Sequence, residues 1–168
     1  MGIKYRFNRL RKAFAFYRIN HFYSGTSHFE KKRKILNKIG FSIGEGSKIV
    51  GPLKCTGRLV VGNNSWIGAD LKIYGNGDVI IGSNCDLGPN VTFLTGGHSI
   101  GESDRRAGSG EKYTQKVGDG SWICGNVTII KSVEIGKGSI VAASSLVNKN
   151  IGDSVLAGGI PCKEIRKL

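Results

Sequence analysis

The chain has 168 residues, with 25 Lys+Arg against 12 Asp+Glu and a formal net charge of +13. This length suits one domain with an adequate buried core. Glycine accounts for 26 residues and proline for 3, without the G-X-Y period of collagen. Ile, Val and Leu recur too regularly for wholesale disorder, and no apolar run approaches the roughly 18 residues of a membrane span.

The positive charge is concentrated at the N-terminus. Residues 1–38 hold eleven basic residues and one acid, Glu30, so this segment carries +10. Apolar residues at helical spacing predict a helix over about 5–22 and a second over about 29–39. Two interpretations stay open: a helical cap on a repeat domain, or a basic amphipathic helix contacting an anionic membrane. No recognisable nucleic-acid motif is present, so we expect no nucleic-acid partner.

A six-residue repeat begins at Ile43. An aliphatic residue, usually followed by Gly or another small residue, returns every six positions. This period predicts a hexapeptide β-helix in which three sides form an 18-residue coil. Spacings of 18, or of 18 plus a two-residue slip, predict that residues 43, 61 and 81 stack, and likewise residues 135 and 155. We expect the following Gly to relieve each corner, because Gly adopts backbone angles closed to other residues.

These observations predict a mainly β fold, a β-helix of about five coils with short N-terminal helices and one long protruding loop. The division is a basic helical cap over residues 1–42 and a β-helix domain over residues 43–168.

The repeat is interrupted at residues 99–116. An excursion of this length costs loop entropy and is typical of functional sites. His98 stands at its root, preceded by Gly96-Gly97, and imidazole is the side chain best suited to take and return a proton near neutral pH. The sequence therefore makes His98 the candidate catalytic base, with Glu102 as a candidate residue to orient it.

Four cysteines stand at positions 55, 85, 124 and 162, without a C-x-x-C pair or a neighbouring histidine. This pattern predicts buried, reduced, structural thiols and no metal site. Free thiols and the absence of a predicted export signal indicate the cytoplasm, and the basic N-terminus would place the protein at the inner face of the membrane.

Three segments resemble the hexapeptide-repeat acetyltransferases, nearest the galactoside and maltose O-acetyltransferases and those acting on bacterial surface polysaccharides. The matching strings are IGSNCDLGPNVTFLTGGH at 81–98, VGDGSWICGNVTIIKSVEIGKGSIVAASSLVNK at 117–149 and AGGIPCKEIRK at 157–167. The resemblance implies a left-handed parallel β-helix, a homotrimer with active sites between adjacent subunits, and acetyl-CoA as the acetyl donor without a metal. It does not take in residues 1–40.

The resemblance also assigns roles residue by residue. His98 matches the family's catalytic base, which removes the proton from an acceptor hydroxyl that attacks the thioester directly. Backbone N–H groups would stabilise the resulting oxyanion. The positions that match coenzyme contacts are Trp122, Gly125, Ala143, Asn148, Lys149, Lys163 and Arg166.

Acceptor recognition departs from the family. Relatives that acetylate simple sugars use an Asn and an Asp where this chain has Gly68 and Asn76, so the resemblance leaves Asn76 as an acceptor contact. Arg105, in the loop, is a second candidate for an anionic acceptor. Longer sugar-binding helices of those relatives have no counterpart in residues 1–42. We therefore expect O-acetylation of a saccharide hydroxyl in capsule, exopolysaccharide or lipopolysaccharide biosynthesis, with a lipid-linked acceptor suiting the basic N-terminus.

Other functions remain open at this point. The same scaffold could acetylate the amine of an amino sugar nucleotide, or another amine. A non-enzymatic β-helix scaffold would lack His98 in a loop and the basic residues Lys149, Lys163 and Arg166. A γ-class carbonic anhydrase needs three histidine ligands, and the repeat contains only His98.

Overall fold

The computed structural model describes the backbone of residues 3–168 and the side chains from residue 9 onward. Two helices, α1 (Ile3–His21) and α2 (Phe29–Lys38), precede a parallel β-helix with three faces. The chain runs along these three faces, which we call A, B and C, one after the other in each turn. The predicted mainly β fold, with N-terminal helices and one protruding loop, is confirmed, although the β-helix has about six turns rather than five.

Each face is a parallel sheet of short strands. Face A contains β1 (Ser42–Ile43), β4 (Arg58–Val61), β7 (Asp78–Ile81), β12 (Thr114–Val117) and β15 (Val133–Ile135). Face B contains β2 (Lys48–Ile49), β5 (Trp66–Ile67), β8 (Asp86–Leu87), β13 (Trp122–Ile123), β16 (Ile140–Val141) and β18 (Val155–Gly158), with β19 (Lys163–Lys167) antiparallel at its end. Face C contains β3 (Leu53–Cys55), β6 (Leu71–Tyr74), β9 (Thr92–Leu94), β14 (Thr128–Ile130) and β17 (Leu146–Val147).

The predicted aliphatic stack is the core of this β-helix. On face A, Ile43 pairs with Val61, Val61 with Ile81, and Ile81 with Val117, and all of these side chains are buried. The last step differs from the prediction. Ile135 pairs with Ile151, whereas Val155 begins the next strand of face B. The final turn is therefore shortened by two residues rather than lengthened.

The glycines that follow the aliphatic residues allow successive turns to pack closely. They do not adopt the left-handed backbone conformation that was predicted for the corners. A Cβ on Gly62 would lie 2.6 Å from the Ser83 nitrogen and 2.7 Å from the Gly82 carbonyl carbon of the next turn. The left-handed backbone conformation occurs two residues later, at Asn64 (φ 55°) and Asn84 (φ 56°). Stacked turns are thus in contact along the glycine column, and the corner two residues later is taken by asparagine or by a second glycine such as Gly120 (φ 71°).

Three polar side chains of the N-terminal helices close the open end of the β-helix. The Asn37 amide exchanges hydrogen bonds with both backbone groups of Ile43 (3.0 and 2.7 Å), and Asn20 does the same with Leu53 (2.9 and 3.0 Å). The buried Lys32 ammonium donates to the carbonyl of Val50 at 2.8 Å. The first strands would otherwise present unpaired backbone groups, which favour edge-to-edge association.

The helices begin and end within about two residues of the predicted limits. Within residues 3–168, no helix combines the length and the apolar character needed to cross a bilayer.

Candidate active site at the base of the hairpin

The interruption of the repeat is a β-hairpin that leaves the edge between faces C and A. Strands β10 (Gly96–Ile100) and β11 (Ala107–Lys112) pair antiparallel, with His98 opposite Gly110. Residues 114–117 already belong to face A, where Val117 pairs with Ile81. The inserted segment therefore begins and ends earlier than the predicted 99–116. Its first strand starts at Gly96, and the chain rejoins face A at β12.

His98 is exposed on the hairpin, and its ring is oriented by one hydrogen bond. Nδ1 lies 2.8 Å from the carbonyl oxygen of Gly108. A carbonyl can only accept, so Nδ1 carries the hydrogen and the lone pair of the neutral ring is on Nε2. The structure thus assigns the orienting contact to Gly108 and not to Glu102, whose backbone carbonyl instead accepts a hydrogen bond from the Arg105 nitrogen.

An open cavity of about 520 Å³ lies between the hairpin and the preceding turn. His98 and Asn76 both line it, together with Tyr74, Glu111 and Lys112. Two of the sequence-predicted residues, His98 and Asn76, are therefore brought together. Tyr74, Glu111 and Lys112 were missed, although Tyr74 directly precedes a slip of the repeat and the other two lie inside the interruption.

The polar side chains of the cavity are held by neighbours. The Tyr113 hydroxyl donates to Glu111 at 2.7 Å, and the nearby Glu111 carboxylate raises the pKa of Tyr113. The Lys112 ammonium lies 3.3 Å from the carboxylate of Asp78 on face A. These contacts tie the end of β11 to Tyr113, which follows it, and to the β-helix. Arg105 is absent from the cavity lining because it lies in the turn that joins the two hairpin strands.

Gln115 anchors the point where the hairpin rejoins the β-helix. Its side chain is fully buried, and Nε2 donates to the carbonyls of Leu94, Ile129 and Lys131 at 3.1, 3.1 and 2.9 Å. Leu94 is the last residue of β9, two positions before the hairpin begins at Gly96, and it also lines the cavity. A buried glutamine in an otherwise aliphatic interior position was a sequence signal for this anchor.

The candidate coenzyme residues lie on two different edges. Gly125 and Ala143 occupy the edge between faces B and C, where the Ser144 nitrogen donates to the Gly125 carbonyl of the preceding turn at 3.0 Å. Trp122 is an exposed residue of face B, and Lys163 and Arg166 are exposed on β19 at the end of that face.

Asn148 and Lys149 instead follow β17 at the edge between faces C and A. The hairpin leaves the β-helix at this same edge, but some turns closer to the N-terminus. Within one chain, His98 is therefore separated by face C from Gly125 and Ala143. Asn148 also contains a buried side-chain oxygen without a hydrogen-bond partner in the described part of the chain.

All four cysteines are free, as predicted. Burial raises the pKa of each thiol, and that of Cys55 to about 12. Neutral thiols are poor nucleophiles, so the arrangement favours chemistry without a cysteine adduct.

A comparison with protein-family models finds no match. Among curated proteins, the galactoside O-acetyltransferase of Escherichia coli K12 is 31% identical over 162 residues, covering 95% of this chain and 79% of that protein. The chain belongs to the hexapeptide-repeat acetyltransferases. A putative acetyltransferase of Saccharomyces cerevisiae is 36% identical to this acetyltransferase over 140 residues, covering 82% of it and 71% of the relative.

Solved structures agree with this assignment. A Vibrio cholerae hexapeptide-repeat acetyltransferase complexed with acetyl-coenzyme A aligns with a TM-score of 0.84 and 28% identity, over 99% of this chain and 90% of that one. A galactoside acetyltransferase in complex with coenzyme A aligns with the same TM-score and 30% identity, over 99% and 84%. Both alignments include the N-terminal helices. The expectation that the resemblance excludes residues 1–40 is therefore wrong.

Proposed function

We propose that this acetyltransferase moves an acetyl group from acetyl-coenzyme A to a hydroxyl of a saccharide, with His98 as the general base. The observation that carries the proposal is the hydrogen bond from Nδ1 of His98 to Gly108 at 2.8 Å, in a cavity that also contains Asn76. That bond leaves Nε2 ready to accept a proton. Relatives named as galactoside O-acetyltransferases support a saccharide acceptor.

The reaction needs one proton to be moved twice. Nε2 of His98 removes the proton of the acceptor hydroxyl, and the oxygen forms a bond to the acetyl carbonyl carbon. The bond from that carbon to the coenzyme sulfur breaks, and the imidazolium returns its proton to the departing thiolate. General base catalysis of this kind contributes about 10²- to 10⁴-fold in rate.

We assign the coenzyme to Trp122, Gly125, Ala143, Asn148, Lys149, Lys163 and Arg166. The fit is supported by the edge at half-buried Gly125 and exposed Ala143, whose backbone N–H groups donate no hydrogen bond to another backbone group in the described part of the chain. Lys149, Lys163 and Arg166 are exposed and take part in no ion pair among residues 9–168, so their charges are free for phosphate groups. Neighbouring structures contain coenzyme A or acetyl-coenzyme A.

We propose that the protein is a homotrimer. The separation of His98 from Gly125 and Ala143 within one chain supports an active site that is shared between subunits. We propose that the hairpin edge of one subunit faces the B–C edge of the next, so that each site uses two subunits. Mixing His98→Ala and Ala143→Phe subunits tests this arrangement. Random trimers should recover about one quarter of wild-type activity, because cyclic symmetry pairs the two intact edges in that fraction of sites. No recovery in mixed trimers would place each site within one subunit.

The acceptor proposal is a saccharide of a surface polysaccharide, such as capsule, exopolysaccharide or lipopolysaccharide. Gly68 cannot supply the side chain that simple-sugar relatives use, and a Cβ there would lie 2.6 Å from Gly88 of the next turn. Asn76 remains in the cavity as an acceptor contact, with Arg105 on the hairpin for a larger, anionic acceptor. We further propose that residues 1–42 act as a cap and residues 43–168 carry the activity, in the cytoplasm.

Release of coenzyme A from acetyl-coenzyme A, measured with a panel of saccharides and amino sugars, tests the function. Turnover with a hydroxyl acceptor, abolished in His98→Ala, is expected. Turnover restricted to amine acceptors would replace O-acetylation by N-acetylation. Failure of the purified protein to bind acetyl-coenzyme A would refute the transferase proposal.

A further inference from the structure

Helix α1 has two apolar sides, and the β-helix covers only one. Ala15 and Ile19 are buried against the rest of the protein. Leu10, Phe14 and Tyr17 follow one another at helical spacing on the opposite side, where they are 68%, 63% and 52% exposed. We call these three residues the outer stripe. An exposed apolar row of this kind is typical of a surface that meets another apolar phase.

The outer stripe continues past the end of the helix. Phe22 is 67% exposed, and its ring centroid lies 5.8 Å from that of Tyr17. The ring of His21 also lies against Tyr17, tilted by 41°, with a centroid distance of 4.6 Å. The aromatic rings thus form one continuous exposed patch.

Basic side chains flank this patch. Arg11 and Arg18 lie on one side of the helix and Arg9 on the other, and the Arg18 guanidinium is 5.9 Å from the Phe14 ring centroid. The first turn of α1 contains no acidic residue, and the acid of α2, Glu30, is neutralised by Arg33 at 2.9 Å. The surface therefore combines apolar rings with a local excess of positive charge.

The charge decides between the possible occupants. Two copies meeting through this surface about a twofold axis would bring together two segments that each carry +10, and like charges oppose such contact. An anionic lipid surface offers both requirements at once: hydrocarbon for the rings and phosphate for the arginines.

We propose that the outer stripe docks this protein on a bilayer surface containing anionic headgroups. Helix α1 lies in the plane of the interface, with Leu10, Phe14, Tyr17 and Phe22 inserted and Arg9, Arg11 and Arg18 on the headgroups. The β-helix lies on the opposite side of α1 and remains in water. The proposal is independent of the acetyl transfer reaction, because no residue of the outer stripe belongs to the candidate active site.

Co-sedimentation of the full chain with vesicles tests the proposal. Vesicles of phosphatidylcholine alone are compared with vesicles of phosphatidylcholine and phosphatidylglycerol. The first variant, called the stripe variant, combines Leu10→Gln, Phe14→Gln and Tyr17→Gln. The second variant, called the charge variant, combines Arg9→Gln and Arg11→Gln. The matched controls are Ile160→Gln with Ile165→Gln, which removes exposed apolar side chains at the other end of the β-helix, and Lys131→Gln with Lys137→Gln.

The wild type should bind phosphatidylglycerol vesicles and not neutral ones, and the controls should bind like the wild type. The charge variant should bind about 25-fold more weakly, because each basic residue near an anionic surface contributes about fivefold. The stripe variant should lose about a hundredfold or more. If circular dichroism shows that the stripe variant is unfolded, the binding of the charge variant alone tests the proposal.

Three results would overturn the proposal: no binding by the wild type, equal binding to neutral vesicles, or unchanged binding by the charge variant. A folded stripe variant whose assembly falls apart in light scattering would identify the outer stripe as a contact between subunits instead. Coenzyme A release with a soluble acceptor should remain within about twofold of wild type in the stripe variant.

Discussion

Substitution of Gly62 by alanine tests how tightly successive turns of the β-helix pack. The Cβ of a Gly62→Ala variant would meet the next turn at 2.6 Å from Ser83 N and 2.7 Å from Gly82 C. Ordinary carbon contacts begin near 3.4 Å, so the two turns must separate by several tenths of an ångström. The Gly62 nitrogen also donates to the Ile81 carbonyl at 2.9 Å, and this bond would stretch.

Forced overpacking of this kind costs about 1–3 kcal/mol, and rigid backbone on the receiving side favours the upper part of that range. For a chain of this size, about 2–3 kcal/mol lowers the melting temperature by about 4–12 °C. Differential scanning calorimetry at a fixed protein concentration measures the shift.

Two matched substitutions separate close approach from backbone freedom. Gly110 has no atom within 4 Å of an added Cβ, so Gly110→Ala should change the free energy of unfolding by less than about 0.5 kcal/mol. Gly120 has a φ of +71° and corresponds to Asn84, so Gly120→Asn should also be tolerated. A Gly62→Ala variant as stable as the wild type would show that the glycine column does not limit the spacing of turns.

Three further predictions concern the site and the cap. His98→Asn can still donate to the Gly108 carbonyl but cannot accept a proton, so kcat should fall about 10²- to 10⁴-fold with little change in the KM for acetyl-coenzyme A; a smaller loss would contradict the base assignment. Lys163→Gln with Arg166→Gln should raise that KM about tenfold at nearly constant kcat, whereas Lys137→Gln should not; equal effects of the two would argue against a phosphate contact. Burial lowers the pKa of Lys32 to about 8, against 10.5 in the unfolded chain, so the folded protein loses this proton first. Urea unfolding should therefore show wild-type stability rising relative to Lys32→Met between about pH 8 and 10.5, and parallel curves would refute the shift.

The fold was largely predictable because its signal is local and repeated. Each six-residue unit contains its own inward aliphatic residue, and the spacing of Ile43, Val61, Ile81 and Val117 identified partners that pair in the structure. The last turn was mispredicted because Ile151 and Val155 are both aliphatic and four residues apart. Only the hydrogen-bonded register shows which of them stacks on Ile135.

The candidate site was predictable only in part. His98 was identified by its position at the root of the interruption, but its partner Gly108 was not, because a backbone carbonyl has no sequence signature. Tyr74 and Lys112 are far apart in the chain, and they line the same cavity only because the hairpin lies beside the preceding turn.

The sequence by itself determined the architecture, the position of the interruption and the segregation of charge, because these depend on residue type and on spacing along the chain. The tertiary structure decided what the same residues contact. It changed the role of the glycines from turning corners to allowing close approach, and it separated His98 from the candidate coenzyme edge. It also revealed that α1 has a second apolar side. Contacts between turns and the direction in which a helix faces depend on how elements pack, and residue spacing alone does not specify that packing.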